Sequence, residues 1–137
     1  MSSRTRIASA LVAASLVLTL AAAPVLAAAG PRLTLSPGRG ASGTTVTMTM
    51  KNCTDPRLWV GPSQDGATAA FGASGYIRWS NPAPFAQGYQ SAGTWAASGT
   101  TGTTWTTSFT ASFPSGRNNV IAWCGPSNQL GATFTVR

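Results

Sequence analysis

Acid–base catalysis needs side chains that exchange protons near neutral pH, and this chain has almost none. It contains no His and no Glu, and Asp55 and Asp65 are its only side-chain carboxylates. A Ser-His-Asp triad is therefore excluded. A two-carboxylate glycosidase would require Asp55 and Asp65 to meet. Thr54-Asp55-Pro56 and Gln64-Asp65-Gly66 are instead turn sequences, in which Asp serves its own backbone. A Ser-Lys dyad would need Lys51, which ends an expected strand. Two carboxylates fall short of an ordinary Ca²⁺ site. With no His, Cys53 and Cys124 cannot complete a zinc site. The expectation is a protein that is not an enzyme, with no cofactor and no metal.

What the chain has in quantity is rings. Five Trp (Trp59, Trp79, Trp95, Trp105 and Trp123) lie among Phe71, Tyr76, Phe85 and Tyr89. Trp105 alternates with core-phase residues, and Trp59 beside a strand start also fits a core. Trp123 is out of phase with Cys124, which points it to an outer face. Trp79, Phe85, Tyr89 and Trp95 flank or occupy an expected long loop over residues 81–93, with Arg78 adjacent. These five are the candidate ligand-binding residues. Exposed rings beside amides and hydroxyls stack on sugar faces or anchor a protein partner. The plainer alternative is that the rings cover a sandwich edge and fill its core. Stacking on single-stranded nucleic acid uses the same ingredients, but the positive charge is not clustered, so nucleic acid is not the expected partner. The expected partner is a glycan or a cell-surface protein, and the oligomeric state is left open.

The elements that must position these residues read as strands. Residues 44–51 alternate strictly, with Val46, Met48 and Met50 on one face and Thr45, Thr47 and Thr49 on the other. Residues 103–113 alternate likewise, with Trp105, Thr107, Phe109, Ala111 and Phe113 in phase. Shorter strands are expected over 33–35, 58–60, 120–124 and 132–136. Residues 67–71 and 76–79 are expected to pair with each other. Pro82 and Pro84 argue for a loop over 81–93, and Trp95 opens a further short strand. No window after the first thirty residues has a helical period. About seven short strands with one apolar face each imply an all-β, two-sheet sandwich, with a small barrel as the alternative.

The N-terminus adds an address. Arg4 and Arg6 precede an apolar run over residues 7–20, then Pro24, and small residues with cleavage motifs after Ala27 to Ala29. Residues 1–29 are expected to be a signal peptide and 30–137 a single exported domain, secreted and with no membrane span after cleavage. Nine Lys and Arg, less Arg4 and Arg6, leave seven; against two acids the remaining charge is +5. Eight Arg against one Lys suggests a GC-rich, actinobacterial genome. In an exported chain Cys53 and Cys124 read as a disulfide, worth about 4 kcal/mol for a loop of roughly 70 residues.

Two stretches resemble bacterial secreted immunoglobulin-like domains. Residues 33–53, LTLSPGRGASGTTVTMTMKNC, are similar to the opening strand, Ser-Pro, Gly-rich turn, Thr-Val-Thr strand and Cys of such modules. Residues 113–137, FPSGRNNVIAWCGPSNQLGATFTVR, are similar to their closing Cys-bearing and Thr-Phe-Thr-Val strands. The opening is also distantly similar to that of the neocarzinostatin-type apoproteins. The first resemblance implies an immunoglobulin-like sandwich with an inter-sheet disulfide and a binding role. The second implies an alternative, a small-molecule carrier with a cleft lined by Trp59, Phe71, Tyr76, Trp79 and Phe85. A structural cell-envelope protein is a further alternative.

Overall fold

In a computed structural model the described residues are 28–61, 68–69, 75–83 and 85–137. Residues 1–27 of the expected signal peptide, Asp65, Phe71 and Pro84 lie outside them. Eleven strands are present: β1 (Arg32–Ser36), β2 (Arg39–Gly40), β3 (Thr45–Lys51), β4 (Pro56–Trp59), β5 (Thr68–Ala69), β6 (Gly75–Pro82), β7 (Phe85–Ala92), β8 (Ala96–Ala97), β9 (Trp105–Thr110), β10 (Gly116–Cys124) and β11 (Asn128–Val136). The count exceeds the expected seven because β2, β5 and β8 are two-residue pairings, and because β7 forms where a loop was expected.

The strands make two sheets. One is four-stranded, in the order β1-β3-β9-β8. The other runs β2-β11-β10-β4-β6-β7, with β5 paired to β4 and β6 also paired to β10. β2 runs parallel to β11. The chain thus leaves the first sheet after Ser36 and joins the second at Arg39, within a stretch that reads as a plain Gly-rich turn.

The expected alternation of β3 and β9 is what builds the core. Val46, Met48, Met50, Phe109 and Ala111 are buried against Ile77, Val120, Ala122, Phe134 and Val136 of the facing sheet. Such burial stabilises each large side chain by roughly 1.5–3 kcal/mol. Rings extend the core: Phe113 lies 5.7 Å from Trp79, 5.8 Å from Phe109 and 6.1 Å from Phe134, centroid to centroid. Asn118 donates to the Pro114 and Gly116 carbonyls, and Asn81 donates to Ser115 O and accepts from Ala83 N. Two buried amides therefore hold the turn that launches β10.

Cys53 follows β3 at the point where the chain crosses to the second sheet, and it is bonded to Cys124 at the end of β10. The bridge ties the two sheets together, as expected. Asn52 turns into the crossing with a φ of 57°, a left-handed conformation that Asn tolerates better than most residues. Trp105 Nε1 donates to Cys53 O at 2.8 Å, which fixes one core indole against the bridge.

Two expectations fail in the middle of the chain. Residues 68–69 pair with β4, not with 76–79. Residues 81–93 are not a loop: β6 and β7 form a hairpin from Gly75↔Ala92 to Pro82↔Phe85. β7 is an edge strand, and Pro82 stands at the closing end of the hairpin, where no central ladder bond is lost. Gly88 faces Trp79, and a Cβ there would sit 2.9 Å from the indole. The glycine that reads as a breaker is what admits the ring.

At the far end of β7 the chain passes back to the four-stranded sheet. Gly93 N donates to Ser108 O at 3.0 Å, and β8 then pairs with β9. Gln90 fills the gap between the sheets. Its side-chain amide donates to Thr110 O and accepts from Ser112 N at 3.0 Å, as a strand's own peptide would.

Candidate functional site

Alternation along each strand sorts the candidate residues onto two faces. Trp79 pairs with Val120, and Ile77 lies in the same phase, so Trp79 belongs to the inner face and the ring chain of the core. Trp95, just before β8, is 3% exposed and also lies in the core cluster. Both were candidates for ligand contact, and both serve the interior. Trp95 has no alternating neighbours to reveal its phase, and Trp79 was assigned to a loop flank that is in fact mid-strand.

Arg78, Phe85 and Tyr89 have the opposite phase and share the outer face of the seven-stranded sheet. Arg78 pairs with Tyr89 across the β6–β7 hairpin. Its guanidinium donates to Gln87 Oε1 at 2.9 Å, a neutral partner that leaves its charge uncompensated. Phe85 stands at the hairpin tip and is 77% exposed.

The sequence reading missed the centre of this face. Trp59 stands next to Leu58, and Leu58 fills the inner core while Trp59 points the other way. The indole of Trp59 meets Trp123 edge-on at 5.3 Å and Tyr89 edge-on at 5.9 Å. Tyr76 pairs with Trp59 in register, and Trp123 pairs with Arg57. Trp123 was legible as an outer residue from its phase against Cys124. Trp59 was not, because a four-residue strand with apolar side chains on both faces gives no phase.

Trp59 is itself buried, 4% exposed, while Trp123, Tyr89 and Tyr76 around it are half-buried. The Nε1–H groups of Trp59 and Trp123 are buried without a hydrogen-bond partner. Buried indole donors usually find one, and an unmet one costs about 1–3 kcal/mol.

The charges around the rings are arginines. Arg57 is held by Asp55 at 2.9 Å, and Asp55 is the one side-chain carboxylate among the described residues. Arg117 is exposed on the same face of β10, and Arg39 lies beyond it on β2, across Thr135. With its carboxylate engaged by Arg57, Asp55 is placed for structure. Among the described residues no group of three His, Cys, Asp or Glu side chains is assembled for a metal ion.

The carrier alternative needs its rings around one cleft. Instead Trp79 lies inside the sandwich, Trp59 and Tyr76 lie outside it, and Phe85 stands at a hairpin tip. A cavity of about 340 Å³ opens on the other sheet, lined by Thr47, Thr94, Thr106, Thr107 and Ser108 with Gly93 and Ala96, and no ring borders it.

No protein-family model, curated protein or solved structure matches this chain.

Proposed function

We propose that the chain is a secreted, non-catalytic binding module with an immunoglobulin-like sandwich, taking a cell-surface or extracellular glycan or protein on the outer face of its seven-stranded sheet. The observation that carries this is the Trp59–Trp123–Tyr89 cluster on the solvent side of a sheet whose core is already complete without it. Leu58, Val120 and Ala122 complete the core beneath it, so packing of the interior does not require these rings on the outer side. Sugar faces stack on the exposed parts of such rings.

The strand order supports the immunoglobulin-like part. β1, β3, β9 and β8 fall in the sequence of an A-B-E-D sheet, and β11, β10 and β4 or β6 in that of a G-F-C sheet, with the bridge between the B and F positions. The disulfide supports an oxidising compartment. Binding without catalysis is favoured by a sequence with no His or Glu and by the pairing of Asp55 with Arg57.

The test is retention of the chain from residue 30 onward on immobilised wall polysaccharide, chitin and cellulose. Retention should fall at least tenfold in Trp123→Ala and Tyr89→Ala. Retention on none of these, or retention indifferent to both substitutions, would sink the glycan version. A protein ligand would then be sought by cross-linking at the same face.

A further inference from the structure

The outer face of the seven-stranded sheet has a direction as well as a chemistry. Along β10 the outward positions run Arg117, Asn119, Ile121 and Trp123, a strip of about 20 Å at the usual rise per residue. Arg78 stands beside Ile121 on one flank. Gly131 stands beside Ile121 on the other and raises no side chain. A Cβ added there would meet nothing closer than Val120 O at 3.9 Å. The strip is therefore a shallow trough, walled by Arg78 and the rings, open over Gly131, with Arg117 at its far end and Arg39 about 10 Å beyond, two strands away.

We infer that this trough binds a linear polysaccharide carrying carboxylate groups, with Arg78 and Arg117 meeting the carboxylates and Trp123 and Tyr89 stacking on sugar rings. The inference rests on the binding-module reading above and names its ligand class. Charge complementarity points to an anion, because among the described residues the one side-chain carboxylate is engaged by Arg57 and none pairs with Arg78, Arg117 or Arg39. Charge spacing points to a sparse one. Arg78 and Arg117 are about 13 Å apart along the strip, whereas DNA carries a charge every 1.7 Å or so of its axis. The rings favour sugars over a bare polyanion, since each pyranose offers an apolar face to stack on the half-buried Trp123 and Tyr89. Arginine grips a carboxylate with two parallel hydrogen bonds.

The experiment is affinity electrophoresis of the chain from residue 30 onward in gels containing polygalacturonate, neutral dextran or single-stranded DNA. Polygalacturonate should retard it and dextran of equal length should not, with the retardation fading as salt rises. Arg78→Gln/Arg117→Gln should weaken the interaction at least tenfold. Arg32→Gln/Lys51→Gln removes the same charge from the opposite outer face and should leave it unchanged. Gly131→Tyr, which fills the trough without removing any contact, should abolish it. Equal losses in the two charge variants, or stronger retardation by DNA, would overturn the inference. Retention on a neutral glycan that depends on Trp123, with no preference for polygalacturonate, would also overturn it while leaving the binding-module reading intact. Failure on every polymer would remove the inference together with the glycan version of the binding-module reading, leaving only a protein ligand.

Discussion

The two sheets present opposite kinds of outer surface. On the four-stranded sheet the outward positions are Thr34, Thr45, Thr47, Thr49, Thr106 and Thr110, with serines between them and Arg32 and Lys51 at one end. Threonine is β-branched and polar, so it supports a strand and tolerates water at once. That surface is accounted for by folding. On the seven-stranded sheet the same outward positions hold Trp59, Tyr76, Tyr89, Trp123, Arg78 and Arg117. The two arginines are ordinary surface residues, but four aromatic rings gathered on one outer face are not what solvent exposure selects. The contrast separates the residues that make the sandwich from those the sandwich displays.

The comparison can be broken most strongly at the bridge that joins the two sheets. Replacing Cys53 and Cys124 together by Ala should lower unfolding free energy by about 4 kcal/mol in the chain-entropy model for a separation of 71 residues. Urea melts would show it, and coincident melts would mean the sheets hold together without the bridge. An inner ring comes next. Trp79→Ala should cost about 3 kcal/mol, because the indole fills the space over Gly88 and against Phe113. The protein that remains folded should bind its glycan undiminished, and a binding loss at full foldedness would move Trp79 to the functional face. Trp123→Ala inverts that pattern. Its stability cost should be about 1–2 kcal/mol, from one edge-on ring contact and partial burial, with binding down at least tenfold by calorimetry. Gln90→Ala should cost about 1 kcal/mol, since it removes the two hydrogen bonds that close the gap to β9. Thr47→Ala on the other surface should change stability by no more than about 0.5 kcal/mol and binding not at all. An effect of Thr47→Ala on binding would shift attention to the hydroxyl-lined cavity there.

Where a strand is long and one-sided, the sequence was a sufficient guide. The alternation of Val46, Met48 and Met50, and of Trp105 through Phe113, is reproduced residue by residue in the burial pattern. The Cys53–Cys124 pairing was equally legible, because two cysteines allow one bridge. The β6–β7 hairpin was not. Pro82 and Gly88 carry the signals of a loop, and their roles as the hairpin's closing end and a seat for an indole depend on partners across the strand pair. The outer face of the seven-stranded sheet was half legible for a related reason. Arg78, Tyr89 and Trp123 could be placed by type or phase. Trp59 lies on a strand too short to reveal its phase, and its neighbour Leu58 is as apolar as it is. Local pattern finds residues that face a core; it does not find apolar residues gathered on the far side of a sheet.

The position of the bridge has a consequence for what a cut in the backbone does to the protein. Cys53 and Cys124 close a covalent ring, and β4, β6, β7 and all of β10 lie on it. Every ring-bearing strand of the outer cluster is therefore inside that loop. A protease that cuts the loop once leaves a nicked ring, not two fragments. The cut halves stay joined beside Trp123, next to the ring cluster they form. Cleavage would show on a reducing gel and be invisible in mass on a non-reducing one. The protein can be damaged in the segment that carries its surface chemistry and still be held in one piece.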